Sequence, residues 1–136
     1  MVSSYLRPVA KRVWLALTAK SNALPLLAAL VYFINRFVIS FDILMPYAFA
    51  HYHLGDLCGG IIFPAYVNVL TEVFSGRHLI AGLGAFLILS CICSVTWEVI
   101  TPLVFMYGTA DPVDACMYFA GGLIYLSGYH VTHKND

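Results

Sequence analysis

An all-α membrane protein, folded as a compact bundle of four transmembrane helices behind an N-terminal interfacial segment, is the class this sequence predicts. Two observations predict it. Hydrophobic residues fill 61% of the 136 positions and charged residues only 10%, far from the roughly 25% charged of a soluble domain. Charges are also missing from long stretches: no Asp, Glu, Lys or Arg occurs at 21–35, 57–71, 78–97 or 115–133. With 9 Tyr, 9 Phe and 2 Trp, there is more apolar surface than one small soluble core hides. A soluble enzyme is excluded. Seven basic residues balance seven acidic ones, so a nucleic-acid partner is not indicated.

The elements follow in order. Residues 1–21 form a basic amphipathic segment, with Trp14, Leu15 and Leu17 among Arg7, Lys11, Arg12 and Lys20, suited to lying on the inner leaflet. This start is read as an anchor rather than a signal peptide, although Ala48-Phe49-Ala50 resembles a cleavage site. Residues 22–131 form a single membrane domain with spans at 22–41, 54–74, 79–97 and 113–131, from the need for about 20 apolar residues per crossing. The stretches are continuously apolar rather than alternating, which argues against strands. Residues 132–136 are a short tail. Arg7, Lys11, Arg12, Lys20, Arg77 and Lys134 fall on one side of this arrangement, and the positive-inside rule makes that side cytoplasmic, both termini included.

The same topology sorts the other ionisable groups unevenly. Arg36, Asp42, His51, His53, Asp56, Glu98, Asp111 and Asp114 come to the outer ends, whereas Glu72, His78, His130, His133 and Asp136 join the inner side. Asp56 and Glu98 would meet hydrocarbon if they pointed outward, so both should face the bundle. Arg36, well inside the first span, has them as natural partners. Two readings remain open: an ion pair that locks helix order, or a polar pocket opening outward, supported by the presence of more acids than Arg36 alone can neutralise. Asp111-Pro112-Val113-Asp114 reads as a helix start, with Asp111 as cap and Pro112 at the first position. Asp114 can project into the bundle beside Glu98. Asp56, Glu98 and Asp114 would then suit a hard cation, Mg²⁺ or Ca²⁺.

Other features have plainer readings. His51-Tyr52-His53 is a weak zinc pattern, for which interfacial histidine is the commoner explanation. Cys58, Cys91, Cys93 and Cys116 lie within spans and read as buried thiols, with no zinc cage or disulfide framework implied. Gly59-Gly60, Gly82, Gly84, Gly121-Gly122 and Gly128 offer small faces for close helix approach. Pro64, Asn68 and Glu72 form a polar stripe along the second span, from interhelical hydrogen bonding or from a transport path. Asp56-x-Cys58 with Gly59-Gly60 echoes Asp114-x-Cys116 with Gly121-Gly122, a faint repeat of the kind two hairpins of one orientation produce.

Taken together, Tyr32-Phe33-x-Asn35-Arg36-Phe37, Asp56-Leu57 with Asn68, Trp97-Glu98-x-x-Thr101-Pro102, Asp111-x-x-Asp114 and Gly121-Gly122 resemble the small VanZ-like membrane proteins, over roughly residues 30–125. The resemblance implies ligand-binding roles for Asn35, Arg36, Asp56, Glu98, Asp111 and Asp114. It also implies a multi-pass protein of the bacterial inner membrane, associated with the cell envelope and with resistance to glycopeptide antibiotics, especially teicoplanin. Three functions are compatible with these residues. The first is an envelope protein whose outward acidic pocket binds a cation, a lipid headgroup or a cell-wall precursor. The second is a small ion-coupled carrier of the magnesium–citrate type, working as a homo-oligomer because four short helices enclose little space. The third is a partner-binding or immunity subunit. No nucleophile motif or phosphate loop supports an enzyme, and no catalytic residue is assigned.

Overall fold

The computed structural model describes residues 2–39, 48–106 and 111–133, and among them there are helices and short turns but no strand. Asp42, Lys134 and Asp136 lie outside the described residues, as do 40–47 and 107–110 of the two expected outer loops. Helix α1 spans Val2–Thr18 and α2 spans Ala23–Ile34. Their axes, taken over Ala10–Thr18 and Ala23–Phe37, meet at 86°. The corner is held by Asn22, a buried side chain whose Nδ2 donates to the Ala16 carbonyl at 2.5 Å. Trp14, 64% exposed, and its neighbours Leu15 and Leu17 therefore lie outside the bundle. Helix α2 passes without a break into a π-helical turn, Asn35–Ile39.

Helix α3, Ala48–Ser75, is the longest, and it begins several residues before the expected start at 54. Pro64 is accommodated inside it. A loop then leads to α4, Leu83–Ser94, which continues through a second π-helical turn, Val95–Ile100, into α5, Thr101–Phe105. The third apolar segment is thus shifted towards the C-terminus of its expected place at 79–97, because the chain keeps helical hydrogen bonding beyond Glu98. Met106, with φ 52°, ends it. Helix α6, Pro112–His133, closes the fold.

Two of these helices, over His53–Ser75 and Leu83–Val104, are long and apolar enough to cross a membrane, and the bent pair Ala10–Thr18 with Ala23–Phe37 would make a third if it counts as one span. The 22 residues of α6 have the length but carry Asp114, three tyrosines and two histidines, which dilute its apolar character. Large apolar side chains cover the outside of the molecule, among them Phe74 at 79% and Leu103 at 75% exposure, as expected where the surrounding solvent is hydrocarbon.

Helices α3 and α6 form the main interface, and they run parallel. His53 near the start of α3 meets Asp114 at the start of α6, Asn68 meets Tyr125, and His78 just beyond α3 meets Tyr129 and His133 near the end of α6. Their closest approach is at glycine. A Cβ added to Gly60 would run into the Tyr118 backbone and one on Gly121 into the Leu57 carbonyl, with the Gly60 Cα 3.0 Å away. Phe86 of α4, 1% exposed, lays its ring against Gly122. Helix α2 packs on α3, and α4 on α6. The chain therefore repeats one pattern twice, a helix that contains a π turn followed by a helix with a glycine pair, and the two later helices run parallel. One glycine from each pair of the faint sequence repeat, Gly60 and Gly121, meets the other at the crossing.

Candidate functional site

The chemistry gathers at one end of the bundle, where the π turns meet the starts of α3 and α6. In a π turn the extra residue per turn swings side chains out of the register of the preceding helix, and such turns recur at functional sites. Here one turn carries Asn35 and Arg36 and the other Trp97 and Glu98. Both turns are built only of αR-type backbone and have no composition signature, so the sequence showed the residues without showing the turn that aims them.

Glu98 Oε2 accepts the Asp111 backbone N–H at 2.8 Å. This ties α4's continuation to the entrance of α6. Asp111 caps α6 as its sequence predicts, its Oδ1 accepting from Val113 N–H at 2.8 Å. Asp114, one turn on, contacts His53 Nδ1 of α3 at 2.5 Å, with the two side chains 22% and 15% exposed. One donor atom each from His53, Asp111 and Asp114 lies within 4.8 Å of the others. Asp56, one helical turn below His53, accepts from Tyr118 Oη at 2.8 Å and faces the Asp114 and Glu98 carboxylates.

Beside this cluster is a cavity of about 640 Å³, lined by Tyr32, Asn35 and Arg36 from the first hairpin's outgoing helix, Gly55 to Pro64 of α3, Leu89, Ser90, Cys93 and Trp97 of the second, and Tyr118. It lies between α2 and α4, which flank it without packing closely on each other. Asn35 and Ser90 are buried in its wall. Its floor is the glycine crossing. The volume falls in the range of small-molecule sites, apolar walls with a few convergent polar groups.

Sequence-predicted residues divide between these two neighbouring features. Asn35, Arg36 and Asp56 line the cavity, whereas Asp111 and Asp114 belong to the polar cluster and Glu98 braces it. The expected pairing of Arg36 with Asp56 or Glu98 is not what the structure has: among the described residues no carboxylate lies within 4 Å of Arg36. The reason is that Asp56 is turned to Tyr118 and Glu98 to the α6 entrance, leaving the guanidinium at the exposed rim. The donor set around Asp114 also differs from the expected Asp56, Glu98 and Asp114, since His53 takes a place in it. Tyr118 carried no signal in the sequence, and His53 stood out only as part of the weak His51-Tyr52-His53 zinc pattern, not as a partner of Asp114. Starting α3 at 48 would have put His53 and Asp56 three apart on one helical face, and Asp114 and Tyr118 are four apart on α6.

Protein-family models, curated proteins and solved structures were all compared with the chain, and none matches. Its function therefore has to be argued from the site itself.

A second polar group occupies the opposite end of the bundle. His78 Nε2 stands 3.7 Å from Glu72 Oε2, and its ring meets that of His133 edge-on at 5.3 Å while His133 stacks on Tyr129 at 4.0 Å. Between the two ends, Asn68 fastens the loop before α4: its Nδ2 donates to the Ile80 carbonyl at 2.9 Å and to Tyr125 Oη at 2.7 Å, and its Oδ1 accepts Ile80 N–H at 2.7 Å. The stripe of Asn68 and Glu72 is thus engaged in interhelical and loop hydrogen bonds. Between Tyr118 and Tyr125 it is interrupted by the backbone contact of Gly60 with Gly121.

Proposed function

We propose that the protein is a four-span membrane protein with cytoplasmic termini, acting at the outer face of the bacterial inner membrane as a VanZ-like envelope factor. In this reading it captures the headgroup of an anionic lipid or lipid-linked cell-wall precursor, and so contributes to tolerance of glycopeptide antibiotics. The observation that carries it is the cleft between α2 and α4. Its polar end offers Arg36, Asn35, Asp56 and Tyr118, and its sides are Ile62, Phe63, Leu89 and Trp97. A guanidinium with no carboxylate against it among the described residues suits a phosphate or carboxylate, which it can hold through two parallel hydrogen bonds. Asp56 accepts from hydroxyl or amide groups, and the apolar sides suit a chain that stays in the bilayer.

The carrier reading is the runner-up. A carrier has its site at a midplane discontinuity with access to both faces, whereas here the polar groups of the two ends are separated by a glycine crossing roofed by Phe86. That supports binding over transport. The test expresses wild type, Arg36→Ala and Asp56→Asn in a susceptible bacterium and measures tolerance to lipid-bearing glycopeptides, with Mg²⁺ and citrate flux measured in proteoliposomes. Tolerance conferred by wild type and lost in both variants, without flux, is the expected result. Flux requiring Asp56, with unchanged tolerance, would reverse the ranking, and absence of both effects would favour the partner-binding subunit.

The orientation has its own test. In a background with the native cysteines replaced, a cysteine at position 75 is expected to resist an impermeant thiol reagent added outside and to react after permeabilisation. Rapid labelling from outside would invert the topology and place the acidic cluster on the cytoplasmic face.

A further inference from the structure

We propose that His53, Asp111 and Asp114 form a binding site for one first-row divalent transition ion, of the Mn²⁺ or Zn²⁺ kind, at the rim of the cleft. Helix capping accounts for one oxygen of Asp111, and a simple ion pair accounts for His53 with Asp114. Neither accounts for a third donor converging on that pair from a different turn, so that all three lie within 4.8 Å. Metal–donor bonds of about 2.1 Å put donor atoms about 3 to 4 Å apart, so small rotations of half-buried side chains complete the set. Binding would use the neutral imidazole of His53 and the carboxylates of Asp111 and Asp114 as ligands, as metal sites require.

The surroundings have the form of an outer coordination sphere. Glu98 holds the backbone of Asp111, and Tyr118 holds Asp56 behind Asp114. Such partners fix ligand orientation in metal sites. Charge points the same way. Among the described residues, the Asp111 and Asp114 carboxylates lie beside the His53 imidazole, Asp56 faces Asp114 and Glu98, and Arg36 lines the cleft. Negative charge gathered among apolar helices is costly, and a divalent ion offsets it. The imidazole decides the ion class: Mg²⁺ and Ca²⁺ take oxygen shells, while one nitrogen with carboxylates suits the borderline transition ions. Three protein ligands leave positions for water or for an oxygen of an anionic ligand in the cleft.

This site stands on its own geometry, so it is tested without any lipid or antibiotic. Full-length protein in detergent, stripped with chelator, is titrated with Mn²⁺ and followed by electron paramagnetic resonance, with Zn²⁺ and Mg²⁺ as competitors. We expect one Mn²⁺ per chain, displaced by Zn²⁺ but not by equal Mg²⁺, and an affinity reduced more than about tenfold in His53→Gln and in Asp114→Asn. Nitrogen coupling from a directly bound imidazole in the Mn²⁺-loaded wild type supports the assignment without relying on any variant's fold. Absence of stoichiometric binding, absence of nitrogen coupling, equal competition by Mg²⁺, or unchanged affinity in both folded variants would each overturn it. Metal binding with no effect of Arg36→Ala on antibiotic tolerance would leave the site standing and sink the lipid-capture reading instead.

Discussion

Gly121→Val is expected to destroy the fold, lowering stability by about 3 kcal/mol, the upper end of what overpacking costs. A Cβ there meets the Leu57 carbonyl and the Gly60 backbone, and backbone, unlike a long side chain, has nowhere to move. The helices would have to separate along their whole main interface, undoing the His53–Asp114 and Asp56–Tyr118 contacts above the crossing and the Asn68–Tyr125 contact below it. Gly84→Ala is the control: nothing lies within 4 Å of a Cβ there, so it should be neutral or gain up to about 1 kcal/mol from helix propensity. Denaturant titration in mixed micelles measures both. Equal stability of the two variants would contradict the glycine crossing as the organising contact of the bundle.

Asn68→Leu is expected to cost about 2–6 kcal/mol and to loosen the loop before α4. Asn68 is 2% exposed, and its amide satisfies both the N–H and the carbonyl of Ile80. Leucine would leave both buried backbone groups without those partners, at about 1–3 kcal/mol each. Tyr125→Phe removes a single hydroxyl from the same network and should cost only about 0.6 kcal/mol, the average for an interhelical hydrogen bond in a membrane protein. Hydrogen exchange over residues 76–82 should rise sharply in the first variant and little in the second. If the two variants behave alike, the loop is held by apolar packing around Ile80 and not by the Asn68 amide.

These two residues show how unevenly the chain could be read in advance. Gly121 was visible as a packing residue because glycine pairs in apolar helices admit close approach, and its repeat partner was visible as well. That Gly60 faces Gly121 was not, since the repeat has its glycine pair displaced by about a turn and only parallel packing of α3 on α6 brings the two together. Asn68 was visible as a polar residue needing a partner. Its partner turned out to be the backbone of a loop residue, Ile80, which no side-chain pattern announces.

Arg36, Asp56 and Glu98 mark the same limit at the site. Coulomb attraction and the cost of burial in lipid made an ion pair the natural reading, but those arguments contain no directions. The π turns at Asn35–Ile39 and Val95–Ile100 supply the directions, and they depend on how each hairpin's outgoing helix meets its neighbour rather than on local propensity. The cavity is the consequence.

What the sequence determined by itself was everything that depends on transfer between water and hydrocarbon: an all-helical chain, at least two segments long and apolar enough to cross a membrane, and acids concentrated at a few positions of those segments. Composition and periodicity carry that information residue by residue, because solvation is local. Only the tertiary structure decided that His53 joins Asp111 and Asp114, that Tyr118 holds Asp56, and that Arg36 faces a cleft instead of a carboxylate. Those outcomes depend on distances between helices far apart in sequence, set by where two backbones can approach at glycine, and such distances have no counterpart in the order of the residues.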